Sequence, residues 1–522
     1  MAAVTLIALG ATAFTISYLA AQPYPGVTVD SGEYLAVSEG LIEGDGFTMP
    51  YVSYDEAFRV PEPGERVHMT QFPPLYPMVL AATQQVTGLG RFDAVRLLGS
   101  SIYLVTMLLA AGLVLRATKS LLLTVVAGAL MLAPELVTVH SMAWSEGLMI
   151  LSLLAALHLI VVALRPGSRW ALAGAGLMGA LASLARFVGV AVILAAAIVS
   201  RSARGARSAR SWARPAVLAA MSLVPVGIWF AHNIVVAGVA SEKDIGWHPP
   251  SGKHLVQALQ TVGGWVVPNR SVATGAGGLL ILVALVLCAS RLRMLTSPRP
   301  GSIPGACLLL GFCYASVVVV SRVFLDQNIP LDPRILAPLQ ILTIVAVCAA
   351  AGRSLFRSTI VMGVLVVLAV SASTRGAMTA IDFSSLGVAG YTNDTWRNSE
   401  TLEYTSRLDP ETVIVTNAPD PLWLWQNWAP MIIPPRSSLY SGQTNRNYSS
   451  QLAEIRDATR CREGIIIFFK HPTRKPARSI DPLVVYELGL TKMEEFEDAV
   501  VYDIDEPIQH CLIELEGSEG RP

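Results

Sequence analysis

Apolar runs of about 20 residues, the length a helix needs to cross the hydrocarbon core, recur along the first 371 residues and then stop. They lie near 1–20, 93–115, 120–139, 146–164, 215–236, 273–290, 303–324, 336–352 and 355–371. Lipid offers the backbone no hydrogen-bond partners, so each run predicts a helix. The stretch from Trp170 to Ser200 is apolar but too short for two full crossings, and both its flanks are basic. It predicts a pair of short helices turning at Ala185-Arg186-Phe187-Val188-Gly189. A single tilted helix with Arg186 paired internally is the second reading, and it breaks the rule that basic flanks lie inside. Pro73-Pro74-Leu75-Tyr76-Pro77 opens a shorter stretch to residue 88, read as a helix lying in or dipping into the outer surface. No internal repeat appears, which weakens a secondary-transporter reading.

Beyond residue 371 the pattern changes. Val413-Ile414-Val415-Thr416, the run Gly464 to Phe469 and Ala499-Val500-Val501-Tyr502 read as buried strands. Asn417-Ala418-Pro419-Asp420-Pro421 reads as a turn, with a helix starting at Leu422-Trp423-Leu424-Trp425. Residues 372–522 therefore predict an α/β domain, and Trp423, Trp425 and Trp428 fit its core better than a sugar platform.

Composition agrees. Of 522 residues 53% are hydrophobic and 15% charged, with a mean hydropathy of +0.52. Soluble domains carry charge on about a quarter of their residues. The net charge of zero averages a basic membrane half against an acidic tail, and makes no case for a nucleic-acid partner. Lys and Arg mark cytoplasmic loops. They cluster at Arg116 with Lys119, Arg165 with Arg169, Arg201 to Arg214, Arg291 to Arg299, and Arg353 with Arg357. Threading the runs between these clusters, with the short pair as two crossings, gives about eleven spans with the N-terminus inside. The first loop (21–92), residues 140–145, Arg186, 237–272, 325–335 and the tail 372–522 then fall outside. No basic segment precedes the first run, so it reads as a retained anchor. Cys288, Cys307, Cys313 and Cys348 lie in spans, whereas Cys461 and Cys511 lie in the tail, where they form either a disulfide or two free thiols.

The outer segments carry the candidate chemistry. The first loop holds Asp30, Glu33, Tyr34, Asp45, Asp55, Glu56 and His68. Glu146 opens the fourth span, Arg186 sits at the hairpin turn, Arg322 ends the span at 303–324, and Arg334 follows Asp332-Pro333. A carboxylate near a hydroxyl acts as a general base, and guanidinium forks match phosphate oxygens. Asp30, where the first span leaves the membrane, is the candidate base. Taken alone, Glu146 reads equally as a helix cap, Arg322 as a snorkelling side chain and Arg334 as half of a loop ion pair.

An acidic residue after the first span and a long first loop closing on Pro73-Pro74-Leu75-Tyr76-Pro77 form a pattern. Trp144-Ser145-Glu146, Leu184-Ala185-Arg186-Phe187-Val188-Gly189 and Pro333-Arg334-Ile335-Leu336-Ala337-Pro338 extend it. Over residues 1–371 it resembles the GT-C membrane glycosyltransferases, in the bacterial branch similar to protein O-mannosyltransferases and aminoarabinose transferases. The resemblance implies a polytopic helical enzyme with an extracytoplasmic α/β domain. It would use a polyprenyl-phosphate sugar, usually without a metal or other cofactor, and a glycan, lipid or protein acceptor at the cytoplasmic membrane. Carried over by position, Asp30 is the catalytic base; Arg334 and Arg186 bind the donor phosphate; Tyr34, His68, Glu146 and Arg322 contact substrate. Two departures leave sugar and acceptor unassigned. Asp30 is followed by Ser31 where mannosyltransferases tend to pair Asp with Glu, and Gln71-Phe72 precedes the prolines where aminoarabinose transferases tend to have a Lys. No Trp-Trp-Asp signature appears, which speaks against an oligosaccharyltransferase. The reading from another class is a transporter or flippase of lipid-linked glycans, with Arg186 and Glu146 lining its pathway. A catalytically dead assembly scaffold is a third.

Overall fold

The computed structural model describes residues 1–51, 65–163, 169–202, 213–241, 245–295, 302–352, 359–437, 444–461, 464–470 and 482–504. Asp55, Glu56, Arg165, Arg204, Arg207, Arg210, Arg299, Arg353, Arg357 and Cys511 lie outside them, and the side chain of Cys461 is not described. The chain divides into two compact units, Met1–Pro25 with Thr70–Val388 and Gly26–Met69 with Ala389–Pro522. The second unit thus combines residues from the first loop with the tail, a grouping different from a single cut after residue 371.

The chain is a multi-pass helical membrane protein. In the first unit, α1 (Ala2–Ala20) is followed by α3 (Leu75–Thr87), α4 (Arg91–Thr118), α5 (Leu121–Leu130), α6 (Pro134–Ser141) and α7 (Glu146–Ala163). Then come α8 (Arg169–Ala185), α9 (Val190–Ser202), α10 (Ala213–Ala237), α11 (Gly252–Gly264) and α12 (Arg270–Leu295), and last α13 (Ile303–Phe324), α14 (Pro333–Ala351) and α15 (Thr359–Leu386). Helix α2 (Val29–Glu43) belongs to the other unit. Among the described residues seven helices are long and apolar enough to cross a membrane. The pair α5 and α6 makes an eighth span if taken together, and three shorter apolar helices lie within α8, α12 and the segment of α9.

Two sequence expectations are corrected. The run 120–139 is not one straight helix: its halves meet at 65°. Pro134 stands at the start of α6, where its ring and missing N–H prevent the preceding helix from continuing. The last run is not over at 371, since α15 continues to Leu386. The short helix after Pro74 and the break between α8 and α9 fall where the sequence predicts them. Apolar side chains from many helices, among them Tyr103, Met107, Leu153, Leu154, Leu310 and Ile341, fill one core. Val4, Ile7, Leu122, Ile360, Val367 and Met378 stay exposed, as helices facing hydrocarbon require.

The second unit contains α2, a small hairpin of β1 (Thr48–Met49) and β2 (Val67–His68), and a mixed sheet. Its strands are β3 (Ile414–Thr416), β4 (Met431–Ile432), β5 (Ile465–Phe469), β6 (Leu490–Glu495) and β7 (Ala499–Ile504), in the order β4-β3-β5-β7-β6. Strand β3 runs parallel to β4 and β5, and β7 antiparallel to β5 and β6. Helices α16 (Asp394–Arg397), α17 (Glu400–Thr405), α18 (Pro419–Gln426), α19 (Tyr448–Cys461) and α20 (Pro482–Leu488) complete it. Val415, Ile455, Ile466, Phe468 and Leu488 form its core. Helix α18 starts at Pro419, earlier than the sequence reading, because Pro at the first helical position has the right φ and no N–H to lose.

Candidate active site

Three chain breaks in the membrane unit each present one charged side chain. Glu146 is the first residue of α7. Arg186 is an extended residue between α8 and the single 3₁₀ turn Phe187–Gly189. That turn is possible because Gly189 has no Cβ: one there would run into the backbone carbonyl of Ala182. Arg334 is the second residue of α14, whose start is fixed by Asp332 and Pro333. The Asp332 carboxylate accepts from the Ile335 N–H at 3.0 Å, and the Tyr314 hydroxyl donates to the Ile335 carbonyl at 2.8 Å.

These side chains meet. The Oε1 of Glu146 takes an ion pair from Arg186 Nη1 at 2.6 Å and another from Arg334 Nε. Arg186 also reaches Ser145 Oγ at 3.5 Å, and the Arg334 guanidinium stacks 4.4 Å from the Trp144 ring centroid. Glu146 is only 1% exposed, and its Oε2 has no hydrogen-bond partner among the described residues. A carboxylate at the start of a helix is favoured by the helix dipole, whereas the cation Arg334 at the start of α14 stands against it. Two arginines thus converge on one carboxylate oxygen. Burial pushes the nearby Asp332 carboxyl up from its ordinary value. A buried cationic cluster at helix starts can hold an anion, and guanidinium donors suit phosphate oxygens.

The other expected residues are described each within its own unit. Arg322 is 5% exposed and donates through Nη2 to His254 Nε2 at 2.9 Å. Burial first, and the Arg322 charge second, hold His254 below its ordinary pKa. In the other unit Asp30 lies in the first turn of α2, half-buried. Tyr34 and Glu33 are both fully buried. His68 lies half-buried on β2. Asp45 pairs with Arg66 at 3.2 Å, as does Glu43. Trp423 is buried, as the core reading expected, and Trp425 donates to the Tyr391 carbonyl at 3.0 Å. Sequence reasoning named Trp144 and Asp332 but gave neither the stacking of Arg334 on Trp144 nor the capping of α14 by Asp332. It also read Asp420 only as part of a turn. Among the described residues no three His, Cys, Asp or Glu side chains gather as a metal-holding group.

No family model matches the chain, and no curated protein does. Solved structures do match in fold. ArnT from Cupriavidus metallidurans bound to undecaprenyl phosphate superposes with a TM-score of 0.56 and 13% identity, over 95% of this chain and 97% of ArnT. The Archaeoglobus fulgidus oligosaccharyltransferase in its apo form gives 0.53 and 12%, over 97% of this chain and 75% of that protein. The same archaeal enzyme, AglB, in complex with an inhibitory peptide and a dolichol-phosphate gives 0.51 and 13%, with the same coverage. The fold is that of the GT-C glycosyltransferases.

Proposed function

We propose that the protein is a glycosyltransferase that moves a sugar from a polyprenyl-phosphate donor to an acceptor hydroxyl at the outer face of the cytoplasmic membrane, with inversion. The observation that carries this reading is the pairing of Arg186 and Arg334 on one buried carboxylate, Glu146, at the starts of helices. Such a cluster supplies cationic donors that need no protonation change to receive a lipid phosphate. The polyprenyl phosphates in the ArnT and AglB structures support the same class of donor. A flippase pathway would spread its charges through the spans at mid-depth, whereas these charges gather at helix ends.

In the proposed step the acceptor oxygen attacks the anomeric carbon, the bond from that carbon to the phosphate oxygen breaks, and the acceptor proton passes to the Asp30 carboxylate. The polyprenyl phosphate leaves with its charge held by Arg334 and Arg186, so little acid catalysis is required. One displacement with one base inverts the anomeric configuration. No step is assigned to a metal. The test is transfer by purified full-length protein from a panel of polyprenyl-phosphate pentoses and hexoses. Asp30→Asn is expected to fold normally and lose about 10²–10⁴-fold in turnover. Near wild-type transfer by that variant removes Asp30 as the base. Lipid movement across vesicles with no transfer by the wild type would replace the enzyme reading by the flippase.

A further inference from the structure

Within the second unit, the first turn of α2 rests on a buried carboxylate from the far end of the chain. Asp420, in the first turn of α18, is 0% exposed. Its Oδ1 accepts from the Tyr51 hydroxyl at 3.3 Å and its Oδ2 from the Tyr391 hydroxyl at 3.2 Å. Gly32 of α2 lies directly against this group. A Cβ built on Gly32 would come within 2.8 Å of Asp420 Oδ1 and 3.0 Å of the Tyr51 hydroxyl. The same segment is tied a second time, because the Tyr391 N–H donates to the Val27 carbonyl at 2.7 Å. The Tyr51 ring also packs, tilted by 38°, with its centroid 5.7 Å from that of Trp423, one turn along α18 from Asp420.

The composition of this seat requires an explanation beyond packing. A buried carboxylate is costly unless its oxygens are hydrogen-bonded, and a leucine of similar size would fill the space without that cost. What a carboxylate between two phenols adds is direction: both oxygens are fixed, and with them the surface that Gly32 meets. Successive residues of a helix are about 100° apart. Asp30 is two residues before Gly32, so its side chain leaves α2 on the side roughly opposite the Asp420 contact. The seat therefore grips the back of the turn whose front carries Asp30.

We propose that Asp420, with Tyr51 and Tyr391, is a positioning group that fixes the rotation and height of the first turn of α2, and that this is a function of the C-terminal α/β region. Asp420 does not touch the reacting atoms. It acts through Gly32 on the aim of Asp30, and in that respect the inference rests on the reading of Asp30 as the base. Misplacing a catalytic group by about 1 Å costs up to 10²-fold in rate. Gly32→Ala is thus expected to lower kcat about 10- to 100-fold with little change in KM for the donor. Asp420→Ala lowers kcat similarly, and Asp420→Asn, which keeps the shape and can still bond both phenols, restores part of it. Because the added methyl collides with Asp420 itself, Gly32→Ala costs much less in an Asp420→Ala background than in the wild type, where side chains in contact couple.

The test combines these rates with hydrogen–deuterium exchange of the full-length protein, which needs no substrate. Expected is faster exchange across residues 29–33 in Asp420→Ala, with the exchange of β5 and α19 unchanged. Unchanged exchange at 29–33, or equal costs of Gly32→Ala in the two backgrounds, overturns the seat whatever Asp30 does. Faster exchange together with full activity of Asp30→Asn would leave the seat standing and overturn its catalytic purpose. Loss of exchange protection throughout the unit would reduce Asp420 to a general stabilising group and overturn the proposal.

Discussion

Arg334 decides between two uses of the same cluster. If Glu146 serves only to neutralise two buried cations, removing Arg334 affects stability alone. If the arginines receive a phosphate, it affects binding in a protein that is still folded. Arg334→Ala is expected to raise the Kd for polyprenyl phosphate alone by roughly 10- to 100-fold, the worth of a charge-assisted hydrogen bond or two. Arg334→Lys should fall between, since an ammonium keeps the charge but lacks the fork and the planar face that lies on Trp144. Thermal unfolding in detergent accompanies each titration, because removing one member of a buried ion pair costs about 3–5 kcal/mol. An Arg334→Ala protein that is folded and binds polyprenyl phosphate like the wild type removes Arg334 from the donor site. Glu146 is the residue where sequence and structure part most. Singly it read as a cap or a substrate contact, and its partners lie far along the chain from it. No local pattern encodes a pairing between breaks so distant, which is why the hub was visible only once folded.

At the scale of elements, the turn between α8 and α9 is the most informative. Its position was legible because an apolar stretch of that length with basic flanks cannot make two full spans, and because Arg186 interrupts it. The bend between α5 and α6 was less legible: one proline in a continuous apolar run signals a boundary but not an angle. The seat under α2 was not legible at all, since Gly32, Tyr51, Tyr391 and Asp420 carry no shared periodicity. The α8–α9 turn gives a direct prediction. Gly189→Ala introduces a methyl against the Ala182 backbone, which cannot yield as a side chain would. The turn must open, at a cost on the order of 2 kcal/mol or more, and Arg186 moves away from Glu146. Expected is a lower Tm and weaker polyprenyl-phosphate binding together. A Gly189→Ala protein with the wild-type Tm would show that the turn has room the geometry denies.

For the whole molecule, the charge rule predicts that the tail lies outside, and the Cys pair offers a way to test that prediction. We expect a membrane-impermeant thiol reagent to label Cys461 and Cys511 from the outer side only after reduction. Labelling from the inner side alone would invert the topology and move Asp30 with it. Assembly order follows from the Glu146 hub. Its three members leave the ribosome in the sequence Glu146, Arg186, Arg334. The first two are separated by a single helical hairpin and can pair while the chain is still being made. Arg334 emerges roughly 150 residues later, a delay of about 8–30 s at ordinary rates of synthesis. During that interval the early bundle already contains its carboxylate and one arginine. The last helices then insert against a carboxylate that already holds one arginine, so the second ion pair of the hub closes only with the late arrival of α14.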